Sequence, residues 1–239
     1  LVEQRIPNRA APGSTLTSED RRPIPYAVGF TYDSPEGNSI FHSGSITVNR
    51  RMRRGINWNA SYTLSKSIDN ASSVGGSGST VVQDDKNLAA ERGLSSFDKR
   101  HQFQFGGQFT SPFGPQGMWL KQKNLTTSIL KDWNLSTNFT ASTGTPLTAR
   151  VLGNVADAAG SGATGSARAD ATGLSITDGS GYFNTLAFTV PPANRYGNAG
   201  RNTIPGPGMY SLNASFGRSW QVGENSRRRL EGRIEANNV

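Results

Sequence analysis

The most constraining stretch runs from residue 46 to residue 65, where two alternating segments flank a short basic turn. Ile46 and Val48, then Ile56, Trp58, Ala60, Tyr62 and Leu64, occupy even positions. Thr47, Asn49, Asn57, Asn59, Ser61, Thr63 and Ser65 occupy odd ones. Successive side chains of a strand point to opposite faces, so this pattern makes one apolar wall and one wall of small neutral polar groups. Arg50-Arg51-Met52-Arg53-Arg54-Gly55 lies between the halves, and its closing glycine marks a turn. The segment predicts a hairpin of long antiparallel strands.

The rest of the chain repeats that phrase. Residues 1–25 are polar and irregular, with Pro7, Pro12, Pro23 and Pro25 opposing regular structure. A first strand is predicted over Tyr26 to Tyr32, a second over Ile40 to Arg50 and a third over Ile56 to Ser65. The fourth covers His101 to Thr110, with Phe103, Phe105, Gly107 and Phe109 opposite Gln102, Gln104, Gln108 and Thr110. In the fifth, Trp133, Leu135, Thr137, Phe139 and Ala141 oppose Asn134, Ser136, Asn138, Thr140 and Ser142. The sixth sets Tyr210, Leu212, Ala214 and Phe216 against Ser211, Asn213, Ser215 and Ser219. In the seventh, Leu230, Gly232, Ile234 and Ala236 oppose Arg229, Glu231, Arg233 and Glu235.

Connections alternate in length. Residues 51–55, 111–125 and 221–228 form short to moderate links, whereas 66–99 and 143–208 are long loops, with one helical turn predicted near Asn87 to Arg92. Antiparallel neighbours place alternate links at opposite ends, so one rim is trimmed and the other elaborated. Ten strand residues rise about 33 Å, and a tilt of 40–45° projects this to roughly 24 Å, close to the apolar band of an outer-membrane barrel.

Composition narrows the class. The hydrophobic fraction is 34% and mean hydropathy is −0.52, lean for a packed soluble core. No apolar run of about 18 residues is present, which excludes a transmembrane helix. No basic and apolar leader pattern stands at the start, where the chain opens on Leu1 and reads as the middle of something longer. The absence of Cys suits passage through an oxidising periplasm. Net charge is +8, but the arginines cluster in turns at 50–54 and 227–229 rather than interleaving with aromatics, so nucleic acid is not an expected partner. Those turns could meet anionic headgroups.

A soluble antiparallel sandwich would alternate in the same way, but its solvent face would carry many Lys and Glu. Here the polar face of strands three to six is almost wholly Asn, Gln, Ser and Thr. The expected fold is therefore all-β: an antiparallel up-and-down transmembrane β-barrel, represented by a partial wall of about seven strands with two long loops. Candidate lumen-facing residues are Asn57, Asn59, Gln102, Gln104, Asn134, Asn138, Asn213, Arg229, Glu231, Arg233 and Glu235. Candidate lipid-facing residues are Trp58, Tyr62, Phe103, Phe105, Trp133, Phe139, Tyr210 and Phe216, with Trp220 completing an interfacial girdle.

Other chemistry fares poorly. His42 and His101 lie far apart with no Cys to help them, so no transition-metal site is expected. Asp84-Asp85 and Asp178-Gly179-Ser180-Gly181 lack the spacing of an EF-hand and read as turns. Gly75-Gly76-Ser77-Gly78 has no following Lys-Ser/Thr and is no P-loop. The Asn-x-Ser/Thr triplets at Asn59, Asn70, Asn124, Asn134, Asn138 and Asn213 mostly follow from polar residues recurring at i and i+2. No cofactor and no enzymatic activity are expected.

Several phrases resemble a known family. Ser61-Tyr62-Thr63-Leu64-Ser65-Lys66-Ser67-Ile68-Asp69-Asn70-Ala71-Ser72 resembles a strand-to-loop phrase of Oar-like TonB-dependent outer-membrane receptors. So do Ala90 to His101, Tyr196-Gly197-Asn198-Ala199-Gly200-Arg201-Asn202 followed by Gly206-Pro207-Gly208, and Arg229 to Ala236. The similarity spans about residues 24 to 239, in the family's order.

The resemblance implies a fragment, residues 26–239, of a larger receptor barrel in the cell outer membrane. Implied partners are outer-membrane lipid, the receptor's own plug domain and TonB, neither of which is recognised within these residues. On that reading the long loops capture or gate a small-molecule, oligosaccharide or peptide ligand. Glu91, Arg92, Asp98 and Arg100 are expected to brace the first loop by salt bridges, and the alternating charges from Arg229 to Glu235 to dock the plug. Two rivals stay open: a non-transporting structural or adhesin barrel of the outer membrane, and a secreted soluble β-sandwich that binds glycans.

Overall fold

A computed structural model describes residues 3–13, 16–27, 31–70, 82–114, 117–122, 124–151, 167–178, 181–221 and 229–238. The strands are β1 (Glu3–Arg5), β2 (Tyr32–Ser34), β3 (Ser39–Arg53), β4 (Ile56–Asp69), β5 (Gly93–Leu94), β6 (His101–Thr110), β7 (Trp133–Ser142), β8 (Asp170–Ala171), β9 (Phe188–Thr189), β10 (Met209–Gln221) and β11 (Arg229–Ala236). One α-helix, α1 (Leu125–Leu130), precedes β7, and single 3-10 turns span Leu88–Glu91 and Thr185–Ala187. Among the described residues no helix is long and apolar enough to cross a membrane.

The main sheet has seven strands, in the order β11-β10-β7-β6-β4-β3 with β5 paired to β4. Its long strands pair with their sequence neighbours, and every pairing whose register is described is antiparallel. Both β6 and β7 have the predicted bounds, because their polar and apolar residues alternate without interruption. The β3–β4 connection is tighter than the basic run suggests. Strand β3 continues through Arg53, leaving Arg54 and Gly55, both at positive φ (58° and 77°), as a two-residue turn. Gly55 is obligatory there, since a Cβ would stand 2.2 Å from the Thr110 carbonyl oxygen.

Three expectations need correction. No strand runs from Tyr26: that residue follows Pro25 at φ 59°, Ala27 is non-strand, and residues 28–30 lie outside the described set. Tyr32 instead begins β2, which pairs with β1, so the first 25 residues are not wholly irregular. The first long loop is shorter than predicted, since β4 extends to Asp69, though its 3-10 turn at Leu88–Glu91 falls where a helical turn was expected. Both loops also carry short strands, β5 pairing with β4 and β8 with β9. The basic 227–229 turn and the Gly75 to Ser79 run lie at least partly outside the described residues.

The chain forms two compact units. The first collects residues 1–42, 65–99 and 144–207, and the second residues 43–64, 100–143 and 208–239. Among the described residues, the buried hydrophobic ones (Ala10, Val82, Val151, Ala169, Ala187, Ala199 and Ile204) all belong to the first unit. They are small, and the buried polar residues accompanying them are as prominent: Asp69, Glu91, Ser95, Asp98, Arg168 and Arg201. Among its described residues the second unit buries no hydrophobic side chain, although it carries most of the aromatics.

Candidate functional site

In the second unit the sheet sorts its side chains by face. Tyr62, Phe103, Ala141 and Tyr210 stand directly opposite one another in sequence across β4, β6, β7 and β10. Ala60, Phe105, Phe139 and Leu212 form a second such row, and Ile56, Phe109, Leu135, Phe216 and Ile234 a third. The rings touch sideways along this face: Trp58 and Phe105 lie 6.3 Å apart, Phe103 and Phe139 6.1 Å, Trp133 and Phe216 4.5 Å. Gly107 leaves a shallow apolar groove of about 180 Å³ among Trp58, Phe105, Phe109 and Leu135.

Much of this face is open. Tyr210 is 76% exposed, Ile234 74%, Phe216 44% and Phe103 37%. A large apolar side chain left in water forgoes about 1.5–3 kcal/mol of burial free energy, and contiguous patches of this kind mark surfaces made for an apolar environment.

The opposite face is polar. Asn57 pairs with Gln108, Gln104 with Thr140, Thr110 with Asn134, and Asn138 with Asn213. Asn59 stands opposite Gly106, where a Cβ would come within 2.6 Å of the Asn59 Oδ1, so that glycine makes room for the amide. Thr110 Oγ1 donates to Asn134 Oδ1 at 3.3 Å. Gln102 continues the row opposite Thr63 and Ser142. On β11, Arg229, Glu231, Arg233 and Glu235 pair with Gln221, Ser219, Gly217 and Ser215, on this same face. Arg233 Nε lies 3.2 Å from Glu235 Oε1, and Arg229 Nη2 donates to Ser219 Oγ at 2.6 Å. The sheet thus brings all the amide and charged candidates to one side and all the aromatic candidates to the other.

The loop-rich first unit is organised by buried charge. Asp69 and Arg201 form an ion pair with side chains only 2% and 5% exposed. Arg201 also donates from Nη2 to the Asp69 carbonyl at 2.6 Å and from Nε to the Glu91 carbonyl at 2.8 Å. Arg168 Nη2 lies 3.3 Å from Glu91 Oε1, an oxygen that also accepts the Gln83 amide at 2.9 Å. Gln83 spans the loops, donating to the Gly197 carbonyl at 2.9 Å and accepting from the Arg168 amide at 2.7 Å. Asn202 Nδ2 donates to the Leu94 carbonyl at 2.6 Å.

Burial lowers the pKa of Arg168 from its ordinary value, an effect opposed by Glu91. Burial raises that of Asp85, against the pull of Arg9 and the Ile6 amide. No cluster among the described residues has three His, Cys, Asp or Glu side chains able to hold a metal ion.

The four residues singled out as loop braces are placed differently. Glu91 is buried and pairs with Arg168. Asp98 is buried but works through backbone, its Oδ1 accepting the Ser67 amide at 2.6 Å. Arg92 Nη1 donates to the neutral Asn38 Oδ1 at 2.7 Å. Arg100 is exposed in the second unit and has no ion pair among the described residues, because the strand starting at His101 leaves it outside the loop network.

Sequence reading missed Asp69, Gln83, Arg168 and Arg201, whose partners are far away in the chain. It also missed Arg218. That residue's even position puts it on the aromatic side, with its guanidinium carbon 5.4 Å from the ring centres of both Trp133 and Trp220.

Comparison with known proteins places the chain in a family. Residues 1–239 match a family model described as an outer membrane beta barrel domain. No curated protein and no solved structure matches the chain. The protein is located in the cell outer membrane. The chain belongs to the outer membrane beta barrel domain family.

Proposed function

We propose that the chain is part of an Oar-like, TonB-dependent receptor that captures a ligand with its long loops and passes it across the outer membrane through an amide-lined lumen. One observation carries the reading. Three of the phrases that resemble this family, around Asp69, around Glu91 and Leu94, and around Arg201 and Asn202, are bonded to one another within a single unit. A receptor needs loops held in one arrangement to recognise a ligand, and buried ion pairs between distant segments supply that rigidity. The neutral polar face suits a hydrated passage that conducts uncharged and charged solutes without trapping either.

Full-length protein in detergent, mixed with the purified periplasmic domain of TonB, tests the reading. A stable, saturable complex is expected. Absence of binding, together with no conductance in planar bilayers, would make the protein a non-transporting barrel.

A further inference from the structure

Arg218 is a cation on the aromatic side of the sheet, and no carboxylate lies within ion-pairing distance of it among the described residues. Its surroundings hold it in place. The guanidinium lies 5.4 Å from the centres of both Trp133 and Trp220, and it donates to the Ser128 carbonyl of α1. Gly232, directly opposite Arg218, provides the space for the Trp220 ring, which a Cβ there would meet at 3.0 Å. Trp133 is itself fixed, its Nε1 donating to the Ile129 carbonyl at 2.7 Å and its ring stacked on Phe216.

The site lies at the rim that carries the shorter connections. The Arg54-Gly55 turn is bonded to Thr110, Ser111 is bonded to Trp133, and Trp133 stands opposite Arg218. In outer-membrane barrels the short turns are periplasmic, so this rim is level with the headgroups of the inner leaflet. On the same rim the Arg54 side chain is exposed in the β3–β4 turn, and Lys131 pairs with the adjacent Asp132 at 3.7 Å.

We propose that this rim binds the phosphate of an anionic phospholipid headgroup, with Arg218, held between Trp133 and Trp220, as the anchoring cation. A guanidinium matches phosphate in geometry and is weakly hydrated, so it can stay on the apolar side of the sheet when an anion meets it at the interface. The flanking indoles keep it at headgroup depth. This inference rests on the outer-membrane location and on the aromatic side of the sheet meeting lipid, and it is independent of transport.

Native mass spectrometry of the full-length protein, titrated in detergent with phosphatidylglycerol, phosphatidylcholine or inorganic phosphate, tests it. Phosphatidylglycerol should be retained, phosphatidylcholine should bind about tenfold more weakly, and inorganic phosphate should not displace the lipid. Arg218→Gln should weaken phosphatidylglycerol binding by about tenfold or more, and Arg218→Lys, which keeps the charge but not the planar fork, should restore only part of it. If Arg218→Gln fails to fold, wild-type affinity is measured against salt, and it should fall as ionic strength rises. Equal retention of both lipids, displacement by free phosphate, binding indifferent to salt, or an Arg218→Gln protein that binds like wild type would each overturn the proposal.

Discussion

Asp69, the last residue of β4, and Arg201, which lies 132 positions later, form an ion pair that is almost completely buried. Arg201 further holds the carbonyls of Asp69 and Glu91, so one guanidinium joins three loop segments. Removing one partner of such a pair leaves an uncompensated buried charge, which costs about 3–5 kcal/mol. Arg201→Ala should therefore open residues 82–98 and 196–204 to amide hydrogen exchange by orders of magnitude. An exchange pattern like that of wild type would show the pair to be incidental.

Gly55 makes a second, local requirement. With φ at 77° and the Thr110 carbonyl oxygen 2.2 Å from any added Cβ, alanine cannot sit there without moving the turn. Gly55→Ala should destabilise the folded protein by about 1–3 kcal/mol in urea unfolding from lipid vesicles. Gly44→Ala, where nothing lies within 4 Å of an added Cβ, serves as the comparison and should cost clearly less.

Asp85 predicts a pH dependence. Burial raises its carboxyl above the ordinary value of 3.8, so the folded loop unit favours the protonated form. Its contribution is fully present below the unfolded pKa and is lost as pH rises from there through the folded value. Asp85→Asn should therefore gain stability relative to wild type between pH 4 and pH 7, read as slower amide exchange around Ile6 at the higher pH. A difference that stays constant across that range would remove Asp85 from the pH dependence.

The two faces should respond oppositely to charge. Phe139→Lys places an ammonium on the aromatic side of β7; with that side in lipid it should cost about 2–4 kcal/mol, less near an interface. Asn138→Lys, one residue away on the polar side, should cost under about 1 kcal/mol. Urea titration of both variants in the same vesicles measures the contrast.

How much of this could be read from sequence depended on how local the cause was. The bounds of β6 and β7 were legible because Phe103 to Phe109 and Trp133 to Ala141 alternate strictly with amides and hydroxyls. The β3–β4 turn was only half legible, since four arginines look like loop but can continue a strand when Arg54 and Gly55 both take positive φ. Strand β1 and helix α1 left little signal: one is three residues long, and the other, Leu-Thr-Thr-Ser-Ile-Leu, is rich in residues of low helix propensity. The loop network was illegible for a different reason. Gln83 and Arg168 meet across 85 residues, and Asp69 and Arg201 across 132, and no periodicity records such meetings. Arg218 was hidden by its neighbours, because in a run of Gly, Arg and Ser only parity assigns it to the aromatic side.

Because the chain has no Cys, single-cysteine variants give the most direct measurement of the face assignment. Spin labels at Gln104, Phe105, Asn138 and Phe139 in lipid vesicles report collision with oxygen, which partitions into hydrocarbon, and with a nickel chelate, which stays in water. The predicted result is oxygen access at Phe105 and Phe139 and nickel access at Gln104 and Asn138. Nickel access at both phenylalanine positions, or an inverted alternation, would contradict a sheet whose aromatic side meets lipid.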